Sequence, residues 1–193
     1  MDKKEIQKNT KEFYHYRKNC INASEIGTIM GLNPYETKEE LIKKKLLTPK
    51  FILSEAIEHG RKTKPKANLF FSIKMKTNYQ PKTLVKDIFF TTLDGYDESK
   101  KTLLGIKCPF RPENLEWQIF FKKKIIQPYY WAQIQCQLYI SESNLGYFLA
   151  FIDSENFQTI TIKPDIKFIK NIIQEGKKFQ ELLIKYQNKF LIK

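Results

Sequence analysis

Leu93-Asp94-Gly95 and, a few residues on, Leu104-Gly105-Ile106-Lys107-Cys108-Pro109 are the stretches on which the reading of this chain turns. Each closes a run rich in apolar, aromatic and β-branched residues, Leu84 to Leu93 and Thr102 to Lys107, and both runs are expected to be strands. Alternate residues of a strand point to the same face. An acid at the end of one strand therefore meets a lysine on the next, and the residue two before that lysine shares its face. Here that residue is Gly105. Taken alone the pair is a weak signal, because Asp-Gly is also a common turn and lysines abound in this chain; a hairpin turn beside a solvated lysine is the competing reading.

An acid on one strand, followed by a second acid two residues before a lysine on the next, suits phosphodiester hydrolysis assisted by a hard divalent cation. Such a cation takes carboxylate, carbonyl, water and phosphate oxygens. It polarises the phosphoryl group and acidifies the attacking water, while the ammonium orients that water or offsets developing charge. Asp94 and Lys107 hold the outer positions of the pattern. The middle acid is missing.

Further blocks extend the pattern. Upstream, Arg17-Lys18-Asn19-Cys20-Ile21-Asn22-Ala23-Ser24-Glu25-Ile26-Gly27 runs into Gly31-Leu32-Asn33-Pro34-Tyr35-Glu36-Thr37. Downstream come Tyr130-Trp131-Ala132-Gln133-Ile134-Gln135 and Tyr147-Phe148-Leu149-Ala150-Phe151. In this order the blocks resemble the YqaJ-type viral recombinase family, which includes the phage lambda exonuclease, from roughly Phe13 to Phe151.

The resemblance implies a restriction-endonuclease-like (PD-(D/E)XK) α/β fold, a central mixed sheet flanked by helices. It implies Asp94 as a metal-binding carboxylate, the Ile106 backbone carbonyl as a further metal ligand, Lys107 as the catalytic lysine, and Gln133 as a glutamine bordering the site from a helix. Arg17 and Ser24 match the pair that holds the 5′-terminal phosphate of DNA, a guanidinium and a hydroxyl offering complementary donors. It also implies Mg²⁺ or Mn²⁺ as cofactor, duplex DNA ends as ligand, a ring-shaped homotrimer, a single-strand annealing partner and an intracellular setting.

Two departures bear on activity. Glu-x-Lys is replaced by Gly105-Ile106-Lys107, and the helical Gly-x-x-x-Glu-Pro-x-Ala appears as Gly60-Arg61-Lys62-Thr63-Lys64-Pro65-Lys66-Ala67. With Asp94 facing Lys64 and Lys107 the cluster sums to about plus one, and a bound Mg²⁺ meets repulsion of several kcal/mol at short range. The expectation is a DNA-end-binding relative whose Lys64 contacts phosphate and whose hydrolysis is impaired or lost. The alternative is an active exonuclease using a migrated carboxylate from Glu55, Glu58, Glu98, Glu113 or Glu116. A non-catalytic interaction subunit is a third reading, against which the joint retention of Arg17, Ser24, Asp94, Lys107 and Gln133 speaks.

Composition fits this picture. At 193 residues, 41% hydrophobic and 14% aromatic, the chain has the material for one domain with a sizeable core, expected to span 1–193 with a helical tail from about residue 165. Net charge is +13 from 34 basic and 21 acidic residues, which favours an anionic partner. Only Arg17, Arg61 and Arg111 are arginines, so lysine bias accounts for part of that charge. Cys20, Cys108 and Cys136 form no C-x-x-C pair and read as reduced thiols. With His15 and His59 the only histidines, a zinc site or histidine-based triad has little material. No apolar run has the length of a membrane span, and the start, Met1-Asp2-Lys3-Lys4-Glu5, lacks a signal-peptide core.

Helices are expected over Lys11 to Tyr16, over Ala23 to Met30 with Ser24 as N-cap, from Thr37 to Lys45, from Ser54 with an interruption at Pro65, and over Pro128 to Ile140. The last places Gln133 and Gln137 on adjacent turns of one face. Further strands are expected at Tyr147 to Ile152 and Thr159 to Ile162. The tail from Asp165 to Tyr186 carries Ile166, Ile169, Ile173, Phe179 and Leu183 near helical spacing, a core-packing pattern.

Overall fold

In the computed structural model, which describes residues 3–47 and 54–191, strand β5 (Thr102–Lys107) lies between β4 (Phe89–Asp97), antiparallel to it, and β6 (Leu145–Phe151), parallel to it. β4 forms a hairpin with β3 (Gln80–Lys86), β7 (Phe157–Ile162) pairs antiparallel with β6, and β1 (Lys4–Glu5) edges β3. The described residues thus form a seven-stranded mixed sheet of order β1-β3-β4-β5-β6-β7, with β2 (Ile21–Asn22) parallel to the start of β4.

The sheet separates two apolar layers because successive side chains of its central strands alternate sides. Leu103 and Phe148 join one core with Ile26, Ile29, Trp117, Phe120, Ile134, Leu138 and Phe179. Leu104, Ile106, Leu149 and Phe151 face the other way onto Ala67, Phe71 and Tyr79. The first layer is supplied by α2 (Ile26–Ile29), α3 (Lys38–Leu46), α6 (Pro128–Ser141) and α7 (Ile166–Leu191), the second by α4 (Glu55–Lys74). α1 (Lys11–Asn19) packs Phe13 against Phe90. Parallel pairing of β5 with β6 requires a crossover, which α5 (Leu115–Lys123) and α6 provide.

Several expectations are corrected. The run from Leu84 to Leu93 is two strands, not one: Lys86 pairs with Phe89 across a two-residue turn in which Asp87 takes φ 51°. The turn lacks the Asn-Gly or Asp-Gly that marks such a hairpin in sequence. Asp94-Gly95 lies inside β4 and is no turn. α4 runs through Pro65 uninterrupted; the lost hydrogen bond and ring clash, which cost roughly 3 kcal/mol, are offset by Ala67 and Phe71 on the buried face just beyond. Ser24 is not an N-cap. A 3-10 turn, Ala23–Glu25, precedes α2, and Glu25 accepts from both the backbone and side-chain N–H groups of Asn22 at 2.9 Å. Ile166 is exposed, whereas Ile169, Phe179 and Leu183 are buried as the tail pattern predicts. Thr37 and Ser54 cap α3 and α4 as expected. The extremes of the 1–193 span lie outside the described residues, as do residues 48–53.

Candidate active site

The site begins with a defect in the ladder between β3 and β4. Gln80 pairs with Tyr96 but Lys82 pairs with Leu93, so β4 carries one extra residue at Asp94-Gly95 opposite Pro81. Such a bulge re-aims a side chain. Here it turns Asp94 toward β5, where Oδ2 accepts from the Ile106 N–H at 2.7 Å. The regular β4–β5 pairing stops at Gly95 and Leu104, and the carboxylate continues it.

α4 grips the same residue from the other side. Lys64 Nζ donates to Asp94 Oδ1 at 2.8 Å, and Asn68, one turn on, donates to the Asp94 carbonyl at 2.7 Å. Gly95 makes this approach feasible, because a Cβ there would lie 2.6 Å from Tyr79 Cβ and 3.0 Å from the Asn68 amide. Asn68 went unnoticed in the sequence; its spacing of four residues from Lys64, on one helical face, was the available signal.

On the opposite face β5 meets α6. Lys107 Nζ donates to Gln133 Oε1 at 3.0 Å and sits 4.2 Å from the centre of the Tyr130 ring. Gln137 approaches Gly105: its Oε1 is 3.7 Å from where a Cβ would stand. The match is metric, since four helical residues rise about 6 Å and two strand residues about 6.6 Å. Ile134, between the glutamines, fills the place of a side chain at 105, with Cδ1 2.6 Å from that Cβ position. Gln137 donates to Thr91 Oγ1 at 3.1 Å, leaving its Oε1 buried without a hydrogen bond. Gln135, the other glutamine of the motif, is structural: it donates to the Lys163 carbonyl and accepts from the Asp165 N–H, both at 2.9 Å, stitching β7 to α7.

Burial, reinforced by the nearby Lys64 charge and opposed by Asp94, lowers the Lys107 ammonium from 10.5 to about 8. Burial pushes the Cys108 thiol up to about 11, away from the thiolate form. The Lys64–Asp94 pair is only partly shielded, with side-chain exposures of 40% and 22%, and such a pair contributes about 1 kcal/mol or less. An anionic ligand can therefore draw Lys64 away at small cost.

The residues present do not fit a divalent cation. Both oxygens of Asp94 already accept hydrogen bonds, one from an ammonium, and position 105 carries no carboxylate. It is the N–H of Ile106 that meets Asp94. Among the described residues no group of three or more His, Cys, Asp or Glu is arranged to hold a metal. Glu98 pairs with Lys82 and Glu58 with Lys62, while Glu116 accepts from Tyr35 and Tyr129. Neither Glu55 nor Glu113 forms a hydrogen bond or ion pair with Asp94 or Lys107.

Arg17 and Ser24 flank β2, upstream of this cluster. Arg17 is exposed, its guanidinium 5.9 Å from the Phe13 ring centre, and Ser24 is exposed with its hydroxyl unengaged among the described residues. The segment from the end of α1 to the 3-10 turn is braced by Lys45, which donates to the Cys20 carbonyl at 2.9 Å and pairs with Glu25 at 3.0 Å. The 3-10 turn carrying Ser24 packs on α6, the helix that bears Gln133.

An α/β sheet of this order, with a bulged aspartate and a lysine on adjacent central strands, defines a restriction-endonuclease-like nuclease fold. The chain belongs to the YqaJ-like viral recombinase domain family, which matches residues 12–144. The alkaline exonuclease LHK-Exo from Laribacter hongkongensis is similar in structure, with TM-score 0.77 at 18% identity over 94% of this chain and 96% of that one. In its complex with dAMP the corresponding values are 0.75, 20%, 94% and 96%. A phage-related exonuclease from Haemophilus somnus 129PT gives TM-score 0.63 at 14% identity over 86% and 96%. No curated protein shows significant sequence similarity to the chain. No helix among the described residues is long and apolar enough to cross a membrane.

Proposed function

We propose that this protein binds 5′-phosphorylated ends of duplex DNA and has lost efficient metal-dependent hydrolysis. One observation carries the reading: Lys64 Nζ lies 2.8 Å from Asp94 Oδ1, so an internal ammonium neutralises the acid that the family pattern assigns to a metal. Asp94, Lys64 and Lys107 together leave a net positive site suited to a phosphate, which takes donors from ammonium groups without needing a cation between them. Gln133 and the Tyr130 face hold Lys107 in place, and Arg17 with Ser24 offers the donors for the terminal phosphate. Family membership and the exonuclease names of its structural relatives support DNA as the ligand.

In a metal-dependent nuclease, a divalent cation activates water and polarises the scissile phosphate. In this chain Asp94 and the Ile106 carbonyl are the remaining candidates to hold Mg²⁺ or Mn²⁺, too few for the task. The family resemblance extends the proposal to a ring-shaped homotrimer, checked by sedimentation, and to a single-strand annealing partner, checked by co-purification.

The direct test compares end-labelled duplexes. Arg17→Ala should weaken binding to 5′-phosphorylated ends at least about fivefold more than to 5′-hydroxyl ends, the cost of one charge-assisted hydrogen bond. Calorimetry with Mn²⁺ should detect no tight site. Robust degradation of linear duplex by the native protein in Mg²⁺ or Mn²⁺ would overturn the loss of hydrolysis, and equal weakening on both ends would remove Arg17 from end recognition.

A further inference from the structure

Beside the lysine site lies an open cleft of about 510 Å³, between the turn after α2 and the N-terminal ends of α5 and α6. That volume falls among ordinary small-ligand sites, roughly 300 to 1,000 Å³. Tyr35, Tyr129, Leu115 and Glu116 line it, together with Asn114 and Gln127. Although the chain has 34 basic residues, no lysine or arginine among the described residues lines it. It is therefore unsuited to a phosphate. Tyr35 and Leu115 are 71% and 72% exposed, large apolar surfaces that a flat ligand could cover.

Glu116 sets the polar chemistry. Its Oε1 accepts from the Tyr35 hydroxyl at 3.3 Å and its Oε2 from the Tyr129 hydroxyl at 2.6 Å. Each carboxylate oxygen has capacity for roughly two hydrogen bonds, so each keeps one acceptor position. The Tyr129 backbone is fixed by α2: a Cβ on Gly27 would come within 2.6 Å of Tyr129 Cβ. Its ring centre is 6.1 Å from that of Tyr35 and 4.3 Å from that of Tyr130, the ring under Lys107. The cleft is thus the next aromatic station along from the lysine site.

We propose that this cleft binds a nucleobase, guanine in preference, stacked on Tyr35 with its two adjacent N–H donors on the Glu116 carboxylate. Guanine presents N1–H and N2–H side by side, matching two adjacent acceptors. Adenine and cytosine offer one amino group beside a ring acceptor that opposes the carboxylate, and thymine flanks its single N–H with two carbonyls. Base-on-aromatic stacking also needs no positive charge. An ammonium or guanidinium group could satisfy a carboxylate beside aromatic rings, but a partner carrying one would have to approach a chain of net charge +13. The strand that delivers the base is the DNA of the end-binding reading, on which this assignment rests for its biological source.

Free nucleosides, which carry no phosphate, test the cleft separately from the end site. Guanosine, adenosine, cytidine and thymidine are titrated against the full chain by saturation-transfer NMR. Guanosine is expected to bind in the millimolar range and more tightly than the other three. Tyr35→Ala should weaken it at least about fivefold, the low end for loss of a stacked base. Tyr35→Phe should retain stacking, and Glu116→Gln should abolish the preference for guanosine. Tyr35 is exposed, so its replacement leaves the core intact, and unchanged thermal melting verifies this. Absence of guanosine binding, binding indifferent to Tyr35→Ala and Glu116→Gln, or saturation by tetramethylammonium in place of guanosine overturns the assignment. Any of these leaves end recognition by Arg17 standing, whereas guanosine binding with no discrimination between 5′-phosphate and 5′-hydroxyl ends sinks the end-binding reading alone.

Discussion

Asp94 and Asp97 stand three residues apart on β4, and their surroundings assign them opposite tasks. Asp97 is 5% exposed and accepts from nearby neutral donors: the Thr77 hydroxyl, the Ser99 hydroxyl at 2.7 Å, and the Ser99 and Lys100 N–H groups at 2.9 and 3.2 Å. Those hydrogen bonds, Thr77's first, hold its carboxyl down to about 2 and tie the β4–β5 turn to the α4–β3 connection. Asp94 instead accepts one cationic donor from α4 and one N–H from β5, in a partly open site. A buried carboxylate saturated by neutral donors is structural; one that depends on a partly exposed lysine can exchange that partner for a ligand.

The largest effect should come from giving Asp94 the company it lacks. Lys64→Glu with Gly105→Glu restores the acidic positions, but Ile134 Cδ1 occupies the space a side chain at 105 needs. Adding Ile134→Val removes that atom, and Gln137 can rotate its amide to donate to the new carboxylate while the Thr91 hydroxyl donates in turn. The triple variant should bind Mn²⁺ and cleave duplex DNA at least about 100-fold faster than the native chain, equivalent to roughly 3 kcal/mol at the transition state. Calorimetry and an end-labelled cleavage assay check it; the double variant should fall short.

Asp97→Ala should cost about 2 kcal/mol by leaving the Thr77 and Ser99 donors unmatched, lowering the melting temperature by roughly 4 to 8 °C. Because its folded value lies below the ordinary 3.8, Asp97 contributes stability that is present above that pH and lost as pH falls through about 2. Acid titration of the native chain and Asp97→Ala should separate in that window. Asp94→Asn keeps an acceptor for the Ile106 N–H and should cost under about 1 kcal/mol in thermal melts.

The same Asp94→Asn change frees Lys64 and should tighten DNA-end binding about fivefold at low salt, the effect of roughly 1 kcal/mol between unit charges near 4 Å in water. Weakened binding would show that Asp94 serves the ligand directly. A further effect concerns Lys107. With its ammonium lowered to about 8 from 10.5, the unfolded chain holds a proton that the folded chain releases between those values, so stability should rise with pH across that interval. Lys107→Met should flatten the rise, measured by denaturant unfolding from pH 7 to 10.5.

Much of this is legible in the sequence. The expected β5, Thr102 to Lys107, coincides with the observed strand because its run of branched residues is bounded by turns on both sides. α6 was legible from Pro128 at its start, and Gln133 and Gln137 do lie one turn apart against β5. The Asp87 turn, α5 and the passage of α4 through Pro65 were not, since each depends on burial against residues far along the chain. Glu116 shows the gap most plainly: from sequence it was one of several acids able to migrate toward Asp94, and the fold places it instead in the aromatic cleft with Tyr35 and Tyr129.

By itself the sequence determined the family, whose resemblance implied the mixed α/β fold, and put Lys64 and Gly105 where the family pattern has acids, because ordered motifs are local properties of the chain. Only the tertiary structure decided that Lys64 reaches Asp94 across a β-bulge, that Ile134 fills the space beside Gly105, and that a cleft with no basic residue among its described lining opens one tyrosine away from the ring under Lys107. Those facts are distances between segments far apart in the chain, set by how α4 and α6 seat on the two faces of one sheet.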